Sequence, residues 1–111
     1  MIVQLCGRIS NRPIDEVWEE FNDAEVLIRL RKPDTIVINP LKLCDHLTMA
    51  FAKQGCDPDY DHYMAICLAS IPHVDKLVTL KDAHLSAGAR EEMKESFKLG
   101  KDLESLEDFL N

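Results

Sequence analysis

The sequence predicts an α/β fold, a small doubly wound (flavodoxin- or Rossmann-like) three-layer sandwich with a mainly parallel sheet of roughly four to five strands. Three observations predict it. Short runs rich in β-branched residues, Ile2 to Cys6, Thr35 to Ile38 and Leu77 to Leu80, alternate with segments of helical periodicity. The runs are apolar nearly throughout, as strands covered on both faces are. At 111 residues and 46% hydrophobic, the chain has the size and composition of one compact domain.

Ile2 to Cys6 stops at Gly7, and Asn11-Arg12-Pro13 leads into the first helix. There Ile14, Val17, Trp18, Phe21, Ala24 and Leu27 or Ile28 recur at steps of three and four, so one apolar stripe faces a sheet and Trp18 reads as core. Lys32-Pro33-Asp34 ends that helix, and the second strand stops at Asn39-Pro40. Leu43, Leu47, Ala50 and Phe51 give Leu41 to Gly55 a helical spacing without a legible function. Asp57-Pro58-Asp59 starts another helix, with Tyr63, Ile66, Cys67 and Ser70 on one face, and Pro72 ends it. After the third strand, a helix from Gly88 to Leu99 stops at Gly100. Asp102 to Ser105 is a weak fourth strand. The domain is expected over residues 1–100, with 101–111 an acidic tail packed on it or on a partner, its Leu103, Leu106 and Leu110 on one side.

A net charge of -7 argues against a nucleic-acid polymer, whose backbone is held by clustered Lys and Arg. A small phosphorylated ligand needs only a few oriented amides. No apolar run reaches the roughly 18 residues of a membrane span, and Met1 to Cys6 lacks the basic start of a secretory signal, so a cytoplasmic protein with no membrane partner is expected. Cys6, Cys44, Cys56 and Cys67 form no C-x-x-C pair and no zinc-like spacing with His46, His62, His73 or His84. They read as reduced thiols, and neither a metal nor a cofactor is expected.

The candidate site is the turn Ser86-Ala87-Gly88-Ala89-Arg90-Glu91-Glu92, which follows the third strand and opens a helix. A strand-loop-helix unit delivers its loop to the carboxyl end of the sheet, where open α/β folds bind ligands. Glu92 reads as part of the helix's first turn, where the macrodipole favours a carboxylate over the neutral acid. Ser86 as a plain N-cap followed by acidic residues accounts for the same pattern. Asp75, before the third strand, lies away from the ligand end and reads as a turn or cap. Asp82 and His84 sit in the loop ahead of Ser86, near the ligand or solvated. Arg8 is the candidate for a phosphate contact, or an exposed surface arginine.

Taken together, these segments resemble the nucleoside 2-deoxyribosyltransferase-like superfamily, specifically a branch of small phage and bacterial proteins, over roughly residues 1 to 100. The resemblance rests on Cys6-Gly7-Arg8-Ile9-Ser10, Asn39-Pro40, Tyr63-Met64, Asp75, and the S-x-G-A-x-x-E pattern of Ser86, Gly88, Ala89 and Glu92. It implies that Glu92 is the nucleophile on the anomeric carbon. It further implies that Cys6, Gly7, Arg8, Ile9, Asn39, Tyr63, Ser86, Gly88 and Ala89 bind a small nucleoside or nucleotide. Such a glutamate displaces the base through an oxocarbenium-like transition state, and water or a second base resolves the glycosyl-enzyme. The resemblance also implies a homodimer or larger homo-oligomer. Two positions depart from the pattern. Cys67 stands where relatives often have an aspartate, and Ala83 where they commonly have a tryptophan. A thiol is a poor acceptor of sugar hydroxyls, and alanine offers no stacking surface. The expected activity is therefore N-glycosidic cleavage or transfer, with a nucleotide-binding protein without turnover, or an oligomeric interaction module, as the alternatives.

Overall fold

A computed structural model describes residues 1–111. The elements run β1 (Ile2–Cys6), α1 (Ile14–Arg31), β2 (Ile36–Ile38), α2 (Pro40–Ala52), α3 (Tyr60–Ser70), β3 (Lys76–Thr79), α4 (Ala87–Lys98), β4 (Asp102–Ser105) and α5 (Leu106–Leu110). The four strands form one sheet in the order β2-β1-β3-β4, every pair parallel. The α/β class is as the sequence predicts, and no helix is long and apolar enough to cross a membrane.

The strand alternation divides the core into two layers. On one face Val3, Leu5, Val37 and Val78 pack against Val17, Phe21, Ala24 and Ile28 of α1 and Phe109 of α5. On the other, Cys6 and Leu77 meet Ile71, Val74, Ala83 and Ala89, beneath α3 and α4. Gln4 is also fully buried on this second face. Its amide donates to the Cys67 carbonyl at 3.2 Å and accepts from Ser70 Oγ at 2.5 Å, which satisfies both ends of a group that is costly to bury alone.

The helix boundaries follow local chemistry. Asn39 Oδ1 caps α2 by accepting the Leu41 N–H at 3.1 Å. Asp59 caps α3 in a reciprocal box with His62, whose Nδ1 accepts the Asp59 N–H at 3.1 Å. Gly55 and Gly100, with φ of 73° and 69°, turn the chain after α2 and α4 in the left-handed region that favours glycine. At the opposite end of the sheet Asp75 Oδ2 accepts the Ile2 N–H at 2.7 Å, the structural turn the sequence suggests.

Residues 101–111 are part of the domain rather than an appendage to residues 1–100. β4 pairs with β3, Leu103 opposite Leu77, and Phe109 is 3% exposed in the α1-side core. The Lys32 and Lys76 ammonium groups lie 4.6 and 5.5 Å from its ring centroid. Of the expected stripe, Leu106 and Leu110 pack against the same core, while Leu103 is exposed on the edge strand.

The order β2-β1-β3-β4 sends the chain from β1 to one side through α1, then back across the sheet through α2 and α3 to β3. The connections leaving β1 and β3 therefore part over opposite faces and leave a crevice at the carboxyl edge between them.

Candidate active site

That crevice holds a cavity of about 500 Å3. The β1–α1 loop contributes Gly7, Ile9 and Ser10, and α1 adds Ile14 and Trp18. From α2 come Leu41, Cys44, Asp45 and Thr48, and from α3 Tyr60, Tyr63, Met64 and Cys67. The start of α4 closes it with Ser86, Gly88, Ala89 and Glu92. The walls are mostly apolar with a few polar groups, no lysine, arginine or histidine lines them, and the volume falls in the roughly 300–1,000 Å3 range of small-molecule sites.

Two glycines let the backbone come this close. A Cβ on Gly7 would stand 2.9 Å from Phe21 Cζ, so the chain leaving β1 passes where no side chain fits. A Cβ on Gly88 would be 3.2 Å from both Met64 Sδ and Tyr60 Oη, which brings α3 against the first turn of α4. Ser86 Oγ accepts the Ala89 N–H at 3.3 Å, so the capping role and a place in the cavity wall fall on the same serine.

Glu92 lies one turn further along α4 and is 6% exposed. Its Oε2 meets no protein donor. Burial pushes its carboxyl up to about 7, against a smaller opposite pull from a hydrogen bond with Cys6. The expectation of a carboxylate held ionised by the helix dipole is thereby corrected. α4 starts at Ala87, which places Glu92 beyond the first turn where the dipole acts, and desolvation dominates. The group is poised between acid and carboxylate at neutral pH.

Two of the thiols around it, Cys6 and Cys67, are held protonated and are poor nucleophiles. Burial pushes Cys6 far above the usual thiol range, and the nearby Glu92 charge adds to this. Cys67 is raised by its hydrogen bond with Cys44 and then by burial, while that same bond lowers Cys44. One turn away Thr48 Oγ1 donates to the Cys44 carbonyl at 2.9 Å, which leaves it to accept from Tyr63 Oη at 2.7 Å. Two adjacent contacts thus join α2 to α3 in the cavity wall. All four cysteines are free, and no group of three His, Cys, Asp or Glu side chains converges as a metal site.

Of the residues singled out in the sequence, Gly7, Ile9, Tyr63, Ser86, Gly88, Ala89 and Glu92 are brought together here. Cys6 stands behind Glu92, its Sγ donating to the Ala89 carbonyl at 3.6 Å. Asn39 is buried away from the cavity, committed to its cap and to Asn22 and Glu25, each at 3.2 Å. Arg8 and Asp82 line a separate cleft beside it, and exposed His84 lines neither. Ala83 is buried in the α4-side core rather than at the cavity. Trp18 joins Tyr60 and Tyr63 as an aromatic ring of the cavity and also packs on the α1-side core, so the reading of it as core alone is incomplete.

Sequence reasoning missed Cys44, Asp45 and Thr48 of α2 and Tyr60 at the start of α3. The period of α2 shows which residues share a face, and nothing in that period says the face looks onto a crevice.

No curated protein and no solved structure matches the chain. A family profile does, over residues 3–104, and the chain belongs to that family, described as a domain of unknown function (DUF4406).

Proposed function

We propose that this cavity binds a small nucleoside or nucleotide and that Glu92 cleaves or transfers its N-glycosidic bond. The observation that carries the reading is a buried glutamate whose Oε2 has no protein partner, at the wall of an apolar cavity of small-molecule size. The resemblance of the Ser86 to Glu92 segment and of the β1–α1 loop to the nucleoside 2-deoxyribosyltransferase-like superfamily supports the same chemistry.

In this reading a planar base lies against Trp18 and the apolar wall, because flat rings gain from dispersion and stacking while leaving no polar group of the site unpaired. Glu92, once ionised, attacks C1′ of the sugar. The C1′–N bond breaks with its electron pair going to the base, which takes up a proton, and an acyl-linked glycosyl-enzyme forms. That proton comes from solvent, to which Asp45, the other carboxyl lining the cavity, is exposed. Water, or the nitrogen of a second base, then attacks C1′ and releases Glu92. No cofactor enters the scheme.

Binding without turnover is the second reading, favoured by Cys67. Its thiol lines the cavity engaged with Cys44, where the resembling proteins often have a carboxylate. A homo-oligomer belongs to the proposal as well. Val26 and Leu30 of α1 and Ile36 of the neighbouring edge strand β2 are large apolar side chains left on the surface, area that a second copy would cover.

The test is chromatography of base released from nucleosides and nucleoside monophosphates by the wild type and by Glu92→Gln. Release by the wild type that Glu92→Gln abolishes, with ligand still bound, is expected. Binding without release in both proteins supports the second reading, and no binding of any nucleoside or nucleotide overturns both.

A further inference from the structure

A second cleft of about 230 Å3 lies beside the Glu92 cavity and is lined by Arg8, Arg12, Glu20, Lys81 and Asp82. Its walls are the β1–α1 loop and the loop after β3, the two connections that part at the carboxyl edge of the sheet. Along Gly7-Arg8-Ile9 the neighbours of Arg8 line the Glu92 cavity and Arg8 lines the cleft, so one segment separates the two.

The charge here is against the trend of the molecule. Carboxylates outnumber lysines and arginines 20 to 13, yet three cations share this cleft with two carboxylates. One of those carboxylates is taken, since Arg12 Nη1 lies 2.8 Å from Glu20 Oε1. The same Nη1 donates to the Arg8 carbonyl at 2.8 Å, which braces the loop that carries Arg8. Neither Arg8 nor Lys81 is in an ion pair. With Glu20 spent on Arg12, Arg8 and Lys81 share the cleft with Asp82 alone, a net positive charge that gains when an anion enters.

The backbone adds an independent observation. Asn11 and Asp82, with φ of 62° and 60°, are the non-glycine residues in the left-handed region, one next to Arg12 and the other in the cleft wall beside Lys81. Each conformation costs about 1 kcal/mol even for residue types that tolerate it, and such strain gathers where a fold holds side chains for a ligand. The volume is below the roughly 300–1,000 Å3 of sites that take whole small molecules, so the cleft fits a group rather than a nucleoside.

We propose that this cleft is an anion site for a phosphoryl group, gripped by the Arg8 guanidinium fork and by the Lys81 ammonium, with Arg12 as a positioning residue. The site stands independently of the chemistry assigned to Glu92. The phosphoryl group comes either from free phosphate or pyrophosphate, or from the phosphate end of a nucleotide whose base and sugar occupy the neighbouring cavity.

The experiment is an amide NMR titration of the full chain with inorganic phosphate and pyrophosphate at low ionic strength, where surface charges are least screened. It is run on the wild type, on Glu92→Gln and on the double variant Arg8→Gln/Lys81→Gln. Saturable shifts of the Gly7 to Arg12 and Lys81 to Asp82 amides are expected in the first two proteins. In the double variant affinity falls by about tenfold or more, as the loss of charge-assisted contacts implies. A nucleoside monophosphate that binds about tenfold tighter than its nucleoside in the wild type alone identifies the nucleotide as the source. Equal affinity for the two, with phosphate still binding, identifies the free ion. Absence of shifts at these amides, or unchanged affinity in the double variant, overturns the proposal.

Discussion

Two glutamates of this chain are almost equally buried, Glu25 at 5% exposure and Glu92 at 6%, and their surroundings could hardly differ more. Glu25, on α1, accepts from Lys42 Nζ at 2.9 Å, Arg29 Nε at 2.9 Å and Asn39 Nδ2 at 3.2 Å, and so ties α1 to the start of α2. Burial alone would raise its carboxyl, and these donors outweigh it and hold the group below the usual range. Glu92, on α4, has the buried Cys6 thiol beside it and an Oε2 that no protein donor reaches, and burial carries it up to about 7. One carboxylate is spent on a joint between elements. The other is left short of partners at a cavity, a loss of stability that a binding or catalytic role accounts for and a structural role does not.

The largest expected effect separates the two on activity. If Glu92 is the nucleophile, Glu92→Gln lowers base release by about a thousandfold or more, whereas Glu25→Gln leaves it within a few-fold, since the second residue touches no part of the cavity. Comparable losses in both variants would erase the contrast.

Next comes the α1-side core, which has no such compromise. Phe109→Ala is expected to cost about 3–5 kcal/mol in a denaturant melt, because a fully packed ring is lost along with two lysine contacts. A loss below about 1 kcal/mol would mean that residues 101–111 do not belong to the core.

Stability against pH sharpens the comparison further. Glu92 has a folded value raised from 4.5 to about 7, so its contribution is fully present below 4.5 and disappears as pH rises through about 7. Glu92→Gln should therefore be more stable than the wild type at pH 8, by up to on the order of 3 kcal/mol, with the gain vanishing near pH 4. Glu25 runs the other way. Its folded value is lowered from 4.5, so its contribution is present above 4.5 and is lost as pH falls through the lower folded value. Because Lys42 and Arg29 are more than half exposed, the cost of Glu25→Gln at pH 7 is the smallest effect, about 1–2 kcal/mol. Thermal melts of the two variants across pH 4 to 8 check both signs.

The same contrast shows what was legible in the chain. Ser86 as an N-cap, Asn39-Pro40 as a strand stop and the stripe of Val17, Phe21, Ala24 and Ile28 are local patterns, and the structure has them where the sequence places them. β4 is only faintly legible, since Asp102, Glu104 and Ser105 are polar residues of an exposed edge strand with one apolar neighbour. The position of Glu92 in the chain is legible, but its protonation is not. That depends on burial beside Cys6 of β1 and Cys67 of α3, and desolvation of this kind has no sequence period. Asn39 shows the reverse case, a residue with a ligand-like signature whose side chain is fully used by α1 and α2. Arg8 lies beside the expected site rather than in it, because the alternation along Gly7-Arg8-Ile9 turns its side chain into the neighbouring cleft.

The measurement that bears most directly on this account is a carbon-13 NMR titration of the glutamate side-chain carboxyls in the wild type and in Glu92→Gln. The account predicts one carboxyl titrating near 7 in the wild type and absent from the variant, with Glu25 below the ordinary glutamate range. Glutamates that all titrate below about 5 would contradict it, because Glu92 would then be an ordinary ionised side chain with partners the structure does not give it.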